Sequence, residues 1–163
     1  MCVPVYKYQC YICTNVIYLT VMAEERSGRG DGKKTAEELL SLAEERLNGG
    51  RFEESIEIYK VIVKKDPLHP TLAKACNDCG VAYASLKQYD MAIGFFNTAL
   101  NLSNYLMDEG VSTCYNLAQI YKTTGDDEKA DEYFNRAVAI KEEHKRRDEE
   151  AKRTLKQETA DWV

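Results

Sequence analysis

Apolar positions along the chain fall at helical spacing in successive short stretches, each closed by turn residues. Leu39, Leu40, Leu42, Ala43 and Leu47 form the first stripe, and Asn48-Gly49-Gly50 ends it. Thr35-Ala36-Glu37-Glu38 stands just ahead, with the spacing of a capping box in which Thr35 caps and Glu38 reaches back. Phe52, Ile56, Tyr59, Ile62 and Val63 share the face of a second helix that runs to Asp66-Pro67. Pro70 suits the first turn of a third helix, expected over about Thr71–Leu86. Further helices are expected over about Asp90–Leu102, over 107–123, and from 127 onward after the Gly125-Asp126 turn.

Small and aromatic residues repeat in register across these helices. Asn116-Leu117-Ala118-Gln119-Ile120-Tyr121 is followed by Gly125, Ala130, Phe134 and Ala137. Cys79-Gly80-Val81-Ala82-Tyr83 is followed by Ala92, Phe96 and Ala99, and Leu42-Ala43 by Gly50, Ser55, Tyr59 and Pro67. Ser55, Ala92 and Ala130 thus stand 37 and 38 residues apart. Small residues at Ala43, Gly80 and Ala118, and at Ser55, Ala92 and Ala130, allow close helix approach, and Tyr59, Tyr83, Phe96, Tyr121 and Phe134 are expected to fill the space between helices.

The order L-G/A-x-x-Y, turn, A-x-x-x-F resembles the tetratricopeptide repeat, a helix-turn-helix unit with a period near 34 residues. The resemblance covers about residues 36–144. It implies an all-α superhelix, a solenoid of three helical hairpins over about 36–69, 73–106 and 111–144. The first copy departs at Arg46, in place of an aromatic residue, and at Ile62, in place of a late alanine. The longer period, with extra residues at Pro67 to Leu72 and Ser103 to Gly110, is similar to that of the repeats of kinesin light chain, as architecture alone.

Residues 1–34 read as an N-terminal extension and linker. The first 22 are rich in Tyr, Val, Ile and Cys with Lys7 as their one charge, while Met22-Ala23-Glu24-Glu25 looks like an ordinary start. An added leader, a hydrophobic anchor and an arm packed on the repeats all fit that composition. The glycines of Ser27–Gly32 mark a flexible linker, and Arg29-Gly30-Asp31 within it is read as linker too. Residues 145–163 are expected to form a charged capping or solvating helix continuous with the last repeat, because 127–158 contains neither Pro nor Gly. Glu142/Arg146, Glu143/Arg147, Asp148/Lys152 and Glu149/Arg153 are acid-first pairs four residues apart, which suit a solvated helix.

Charge and chemistry narrow the function. The net charge of −5 over 163 residues argues against a nucleic-acid binder. Six cysteines occur without a disulfide framework, which favours a reducing, cytoplasmic setting. No apolar run is long enough for a membrane span. Cys10/Cys13 and Cys76/Cys79 have the C-x-x-C spacing of a Zn²⁺ site, but Cys76, Cys79 and Cys114 fall on core positions of the repeat and read as small buried hydrophobes. No phosphate loop, G-x-S-x-G or H-E-x-x-H is present, and neither His69, read as loop between prolines, nor His144, on a charged helix, belongs to a catalytic motif. Neither a cofactor nor a metal is expected, and no enzymatic activity. The acid pairs Glu44-Glu45, Glu53-Glu54 and Asp126-Asp127 read as helix-dipole complements and solvated surface. The terminal Ala160-Asp161-Trp162-Val163 has an apolar end of the kind PDZ domains bind, a weak signal beside packing of Trp162 on the repeats.

The resemblance therefore implies an adaptor or complex subunit that holds another protein's peptide or helix in the groove lined by the first helices. By register that groove carries Glu37, Leu40 and Glu44, then Lys74, Asn77 and Val81, then Tyr115, Asn116, Gln119 and Lys122. The amides of Asn77, Asn116 and Gln119 are expected to face a peptide backbone. Co-chaperones of Hsp70/Hsp90 clamp a C-terminal carboxylate with Lys, Asn and Arg at such sites. Here Leu40, Glu44, Asp78, Ser112 and Asn116 stand at those positions, which argues against that partner. A metal- or redox-linked protein using the C-x-x-C pairs, or a self-assembling homodimer using the tail helix or open repeat faces, are the alternatives.

Overall fold

The structure, a computed structural model, describes residues 34–65, 67–102 and 107–160, with side chains up to Gln157 and without those of 107–109. Among these residues the chain forms six helices: α1 (Ala36–Asn48), α2 (Phe52–Lys64), α3 (His69–Ser85), α4 (Tyr89–Leu102), α5 (Met107–Thr124) and α6 (Asp127–Ala160). The readings of the leader, the glycine linker, Cys10 and Cys13, and the terminal Trp162 lie outside the described residues.

Local signals place the helix ends well. Glu38 N–H donates to Thr35 Oγ1 (3.2 Å) and Thr35 N–H to Glu38 Oε2 (2.9 Å), completing the capping box. Asp126 accepts from the Lys129 N–H (3.1 Å) at the start of α6. α3 begins at His69, earlier than the sequence suggests, with Pro70 in its first turn. His69 is therefore the first helical residue and not a loop residue, since proline needs no N–H partner in a helix's opening turn.

Each hairpin turns on one residue with positive φ: Gly50 (73°), Lys87 (60°) and Gly125 (84°). In all three turns the next N–H folds back to the carbonyl five residues earlier, from Arg51 to Arg46, Gln88 to Tyr83 and Asp126 to Tyr121, each at 2.9 Å. This is the left-handed closure that satisfies the last helical carbonyls.

The helices pair in chain order, α1 on α2 through to α5 on α6, and the first helices also touch one another, α1 on α3 and α3 on α5. Two layers result, with a core of Leu39, Tyr59, Ile62, Cys76, Cys79, Phe95, Phe96, Cys114 and Leu117 between them. Gly80 is required where α3 meets α4, since a Cβ there would lie 2.7 Å from the Phe96 ring. Ser55, Ala92 and Ala130 are buried as the repeat predicts. Ile62 and Arg46 accommodate the irregular first copy: Ile62 is fully buried, and Arg46 turns outward to Glu45 and Glu54, both at 3.4 Å.

Phe134 departs from expectation. Its counterparts Tyr59 and Phe96 are 0% and 1% exposed, whereas Phe134 is 51% exposed. The reason is positional: α3 packs on α2 and α5 on α4, but among the described residues no helix follows α6 to cover it. α6 continues unbroken through the tail, about 50 Å at 1.5 Å per residue. Along it Glu143 accepts from Arg146 (2.7 Å) and Arg147 (2.8 Å), and Arg146 reaches Glu150 at 4.0 Å. These contacts hold the Glu143 carboxyl down at a pKa of about 2.

Candidate functional site

The contacts of α1 with α3 and of α3 with α5 bring the three first helices side by side, and a polar chain runs across them. On α1, Glu44 Oε1 meets Lys74 Nζ of α3 at 2.8 Å, and Lys74 also reaches Asp78 Oδ2 one turn on, at 3.0 Å. Asn77 Nδ2 donates to Asp78 Oδ1 at 3.1 Å. From α5, Thr113 Oγ1 donates to Asn77 Oδ1 at 2.9 Å and Asn116 Nδ2 approaches the same oxygen at 3.4 Å. Glu37 joins the margin, accepting from Thr71 Oγ1 at 3.3 Å.

This chain corrects the reading of Asn77. It is 7% exposed, and its amide is committed to Asp78, Thr113 and Asn116. Asn77 therefore ties α3 to α5 beneath the surface instead of offering its amide to a ligand. Glu44, read as solvated, is half-buried and ion-paired. Burial acts to lower the Lys74 pKa, but its hydrogen bonds to Glu44 and Asp78 outweigh that and keep the ammonium charged. Thr113, fully buried, is the member that sequence reasoning missed. Its slot matches Ala75 in the preceding repeat and shows no pattern by itself.

The other candidate residues lie nearer solvent. Glu37, Gln119 and Lys122 are exposed, while Leu40, Val81, Tyr115 and Asn116 are half-buried. Leu40, Val81 and Tyr115 pack against the core at their inner edges. Lys122 is paired with Asp127 at 2.8 Å, and Tyr115 meets Phe134 edge to face with ring centres 5.6 Å apart. Beneath the chain sits the Tyr59 hydroxyl, buried and without a hydrogen-bond partner among the described residues. Burial, followed by the charges of Asp78 and Glu44, pushes its pKa far up, so it stays a neutral phenol.

The described cysteines are chemically quiet. Cys76, Cys79 and Cys114 are free and buried. Burial pushes Cys76 up to about 12, raises Cys79 well above the ordinary thiol range and raises Cys114 against the pull of Arg136. Thiols held protonated in this way pack as small apolar groups. Among the described residues no helix is long and apolar enough to cross a membrane.

Comparison with known proteins agrees with this architecture. No curated protein matches the chain. Residues 80–143, from the middle of α3 into α6, match the family model described as tetratricopeptide repeat. Repeats of this family mediate protein–protein interaction, and its members are typically adaptors without enzymatic activity. The recurring Gly80-Tyr83-Ala92-Phe96 and Ala118-Tyr121-Ala130-Phe134 sets both lie in the matched segment, so this part of the chain is similar to the tetratricopeptide repeat family.

Proposed function

We propose that the chain is a cytoplasmic adaptor or complex subunit, without catalysis of its own, that holds an extended peptide or a helix of another protein against α1, α3 and α5. The supporting observation is the alignment of these three helices, cross-tied by the chain from Glu44 to Asn116. A surface whose polar floor is internally bonded needs no reorganisation when a ligand arrives, so less ordering cost opposes binding. Above that floor Val81 and Tyr115 offer apolar contact, Asn116 and Gln119 offer amide groups, and Glu37 and Lys122 supply charge at the margins. Asn77 acts here as a support and not as a ligand contact.

The charges argue against an acidic C-terminal tail such as those of Hsp70/Hsp90. The one cation in the middle of the groove, Lys74, already serves two carboxylates. An incoming carboxylate would have to displace one of them and then face it.

Affinity capture followed by mass spectrometry identifies the partner, and titration calorimetry with the captured protein tests the surface. Asn116→Ala combined with Gln119→Ala is expected to weaken binding about tenfold while the melting temperature changes little, as for other exposed or half-exposed positions. Unchanged affinity in that variant, with binding lost on removing residues 145–163, would move the site from the groove to the tail.

A further inference from the structure

We infer that the open face of α6 is a self-association surface, on which α6 of a second copy lies antiparallel and fills the place of the next repeat's first helix. Asp127, Asp131, Phe134, Val138, Lys141 and Lys145 follow one another at spacings of four, three, four, three and four residues. That alternation puts them on a single stripe of the helix, in the order by which paired helices form a seam. The stripe is open: Val138 is half-buried and the other five residues are exposed, Phe134 at 51%. It is distinct from the face bearing Ala130 and Ala137, which is buried against the rest of the solenoid.

The occupant follows from the charge order. Acids lead the stripe, apolar residues hold its centre and bases end it. A parallel copy would set acid on acid and base on base. An antiparallel copy with its two-fold axis at Arg136 sets Phe134 against the partner's Val138, Asp131 against the partner's Lys141, and Asp127 against the partner's Lys145. Every level of that seam is complementary, Asp127 also holding Lys122 of its own chain, and each contact between the copies occurs twice by symmetry. The repeat supplies an independent argument. The helices that carry Tyr59 and Phe96 are each packed by the first helix of the following hairpin, and among the described residues the helix that carries Phe134 is not. Docking the charged outer face of α1 there, head to tail, would lay Glu38, Glu45 and Arg46 on Phe134 with no comparable match.

Sedimentation equilibrium on the full chain tests this surface separately from the groove. The wild type is expected to be a dimer. Phe134→Ala is expected to raise the dimer dissociation constant about tenfold or more, as for a central interface aromatic. Asp127→Lys with Asp131→Lys makes the seam wholly basic, and Lys141→Glu with Lys145→Glu makes it wholly acidic. Each of these double variants is expected to be monomeric alone, with unchanged helical circular dichroism, and an equimolar mixture is expected to form a heterodimer. A monomeric wild type overturns the inference, as does a dimer indifferent to these substitutions or a mixture that stays monomeric.

Discussion

The second and third hairpins carry the same motif in the same order, yet their aromatic anchors have opposite fates. Phe96 of α4 is 1% exposed against Gly80, while Phe134 of α6 meets Tyr115 edge to face and is 51% exposed. Two differences bear on this: Ala118 stands where the second hairpin has Gly80, so a Cβ occupies the place against which Phe96 packs, and the hairpins have different neighbours. In a solenoid each repeat helps to complete the core of the one before it, so a motif residue on the side toward the next repeat is fully buried only if that repeat is in place. What is core in the middle of the stack becomes surface at its end, available to a partner.

The sharpest way to break this comparison is to truncate both anchors. Phe96→Ala should cost about 3–5 kcal/mol, because it empties a filled site beside Gly80. Phe134→Ala should cost under about 1 kcal/mol at protein concentrations low enough to keep the chain monomeric, since little packing is lost. Urea melts of the two variants measure the difference. Similar costs would mean that Phe134 is covered in solution by part of the same chain.

The groove holds a second such pair. Asn77→Ala should destabilise by about 1–3 kcal/mol, because it removes the buried bond between Asn77 and Thr113 that ties α3 to α5 and takes a donor from Asp78. Asn116→Ala removes only a contact of 3.4 Å at a half-buried site and should cost about 0.5 kcal/mol or less. Thermal melts distinguish them. A neutral Asn77→Ala would show that the tie between α3 and α5 adds no net stability.

Much of this was legible from the chain. Thr35 and Glu38 announce the first helix, the Asn48–Gly50 and Gly125 turns close two hairpins, and small residues recur wherever helices press together. That α1, α3 and α5 lie side by side followed from register, but which of their side chains are buried did not. Asn77 and Asn116 occupy nearby polar positions, and the deciding partner, Thr113, lies 36 residues away from Asn77. A pattern along one helix cannot show which amide a neighbouring helix will cover. The exposure of Phe134 was hidden for a related reason, since it depends on which helix packs on α6, and no pattern along α6 shows that. His69 was misread because flanking prolines suggest a loop, although a proline at the second residue of a helix is well accommodated.

Two glycines sharpen the contrast between crowded and open helix faces. At Gly80 an added Cβ would meet the buried Phe96 ring at 2.7 Å, whereas at Gly94 it would meet nothing within 4 Å. Gly80→Ala is expected to destabilise by about 1–2 kcal/mol, overpacking outweighing the helix preference of alanine. Gly94→Ala should stabilise by about 0.5–1 kcal/mol through that preference alone. Opposite shifts in denaturation midpoint check the pair, and equal shifts would mean that the ring moves freely aside.

The smallest expected effect concerns the turns. Gly50 and Gly125 hold the left-handed position of their hairpins without steric cost, and Lys87 occupies the same position of the middle hairpin with φ at 60°. There its Cβ crowds the following carbonyl, a strain of about 1 kcal/mol that glycine avoids. Lys87 was missed as a turn residue because nothing in Leu86-Lys87-Gln88 resembles Asn-Gly or Gly-Asp. The hydrogen bond from Gln88 N–H to the Tyr83 carbonyl at 2.9 Å matches those of the other turns, so the geometry is imposed by the repeat and not by the local residues. Lys87→Gly is therefore expected to stabilise the chain by about 0.5 kcal/mol, relief of strain being partly offset by the greater freedom of glycine in the unfolded state. Chemical denaturation measures it against Lys87→Ala, which keeps the Cβ and should show no gain. If alanine stabilises as much as glycine, the lysine side chain and not its backbone is the source of strain.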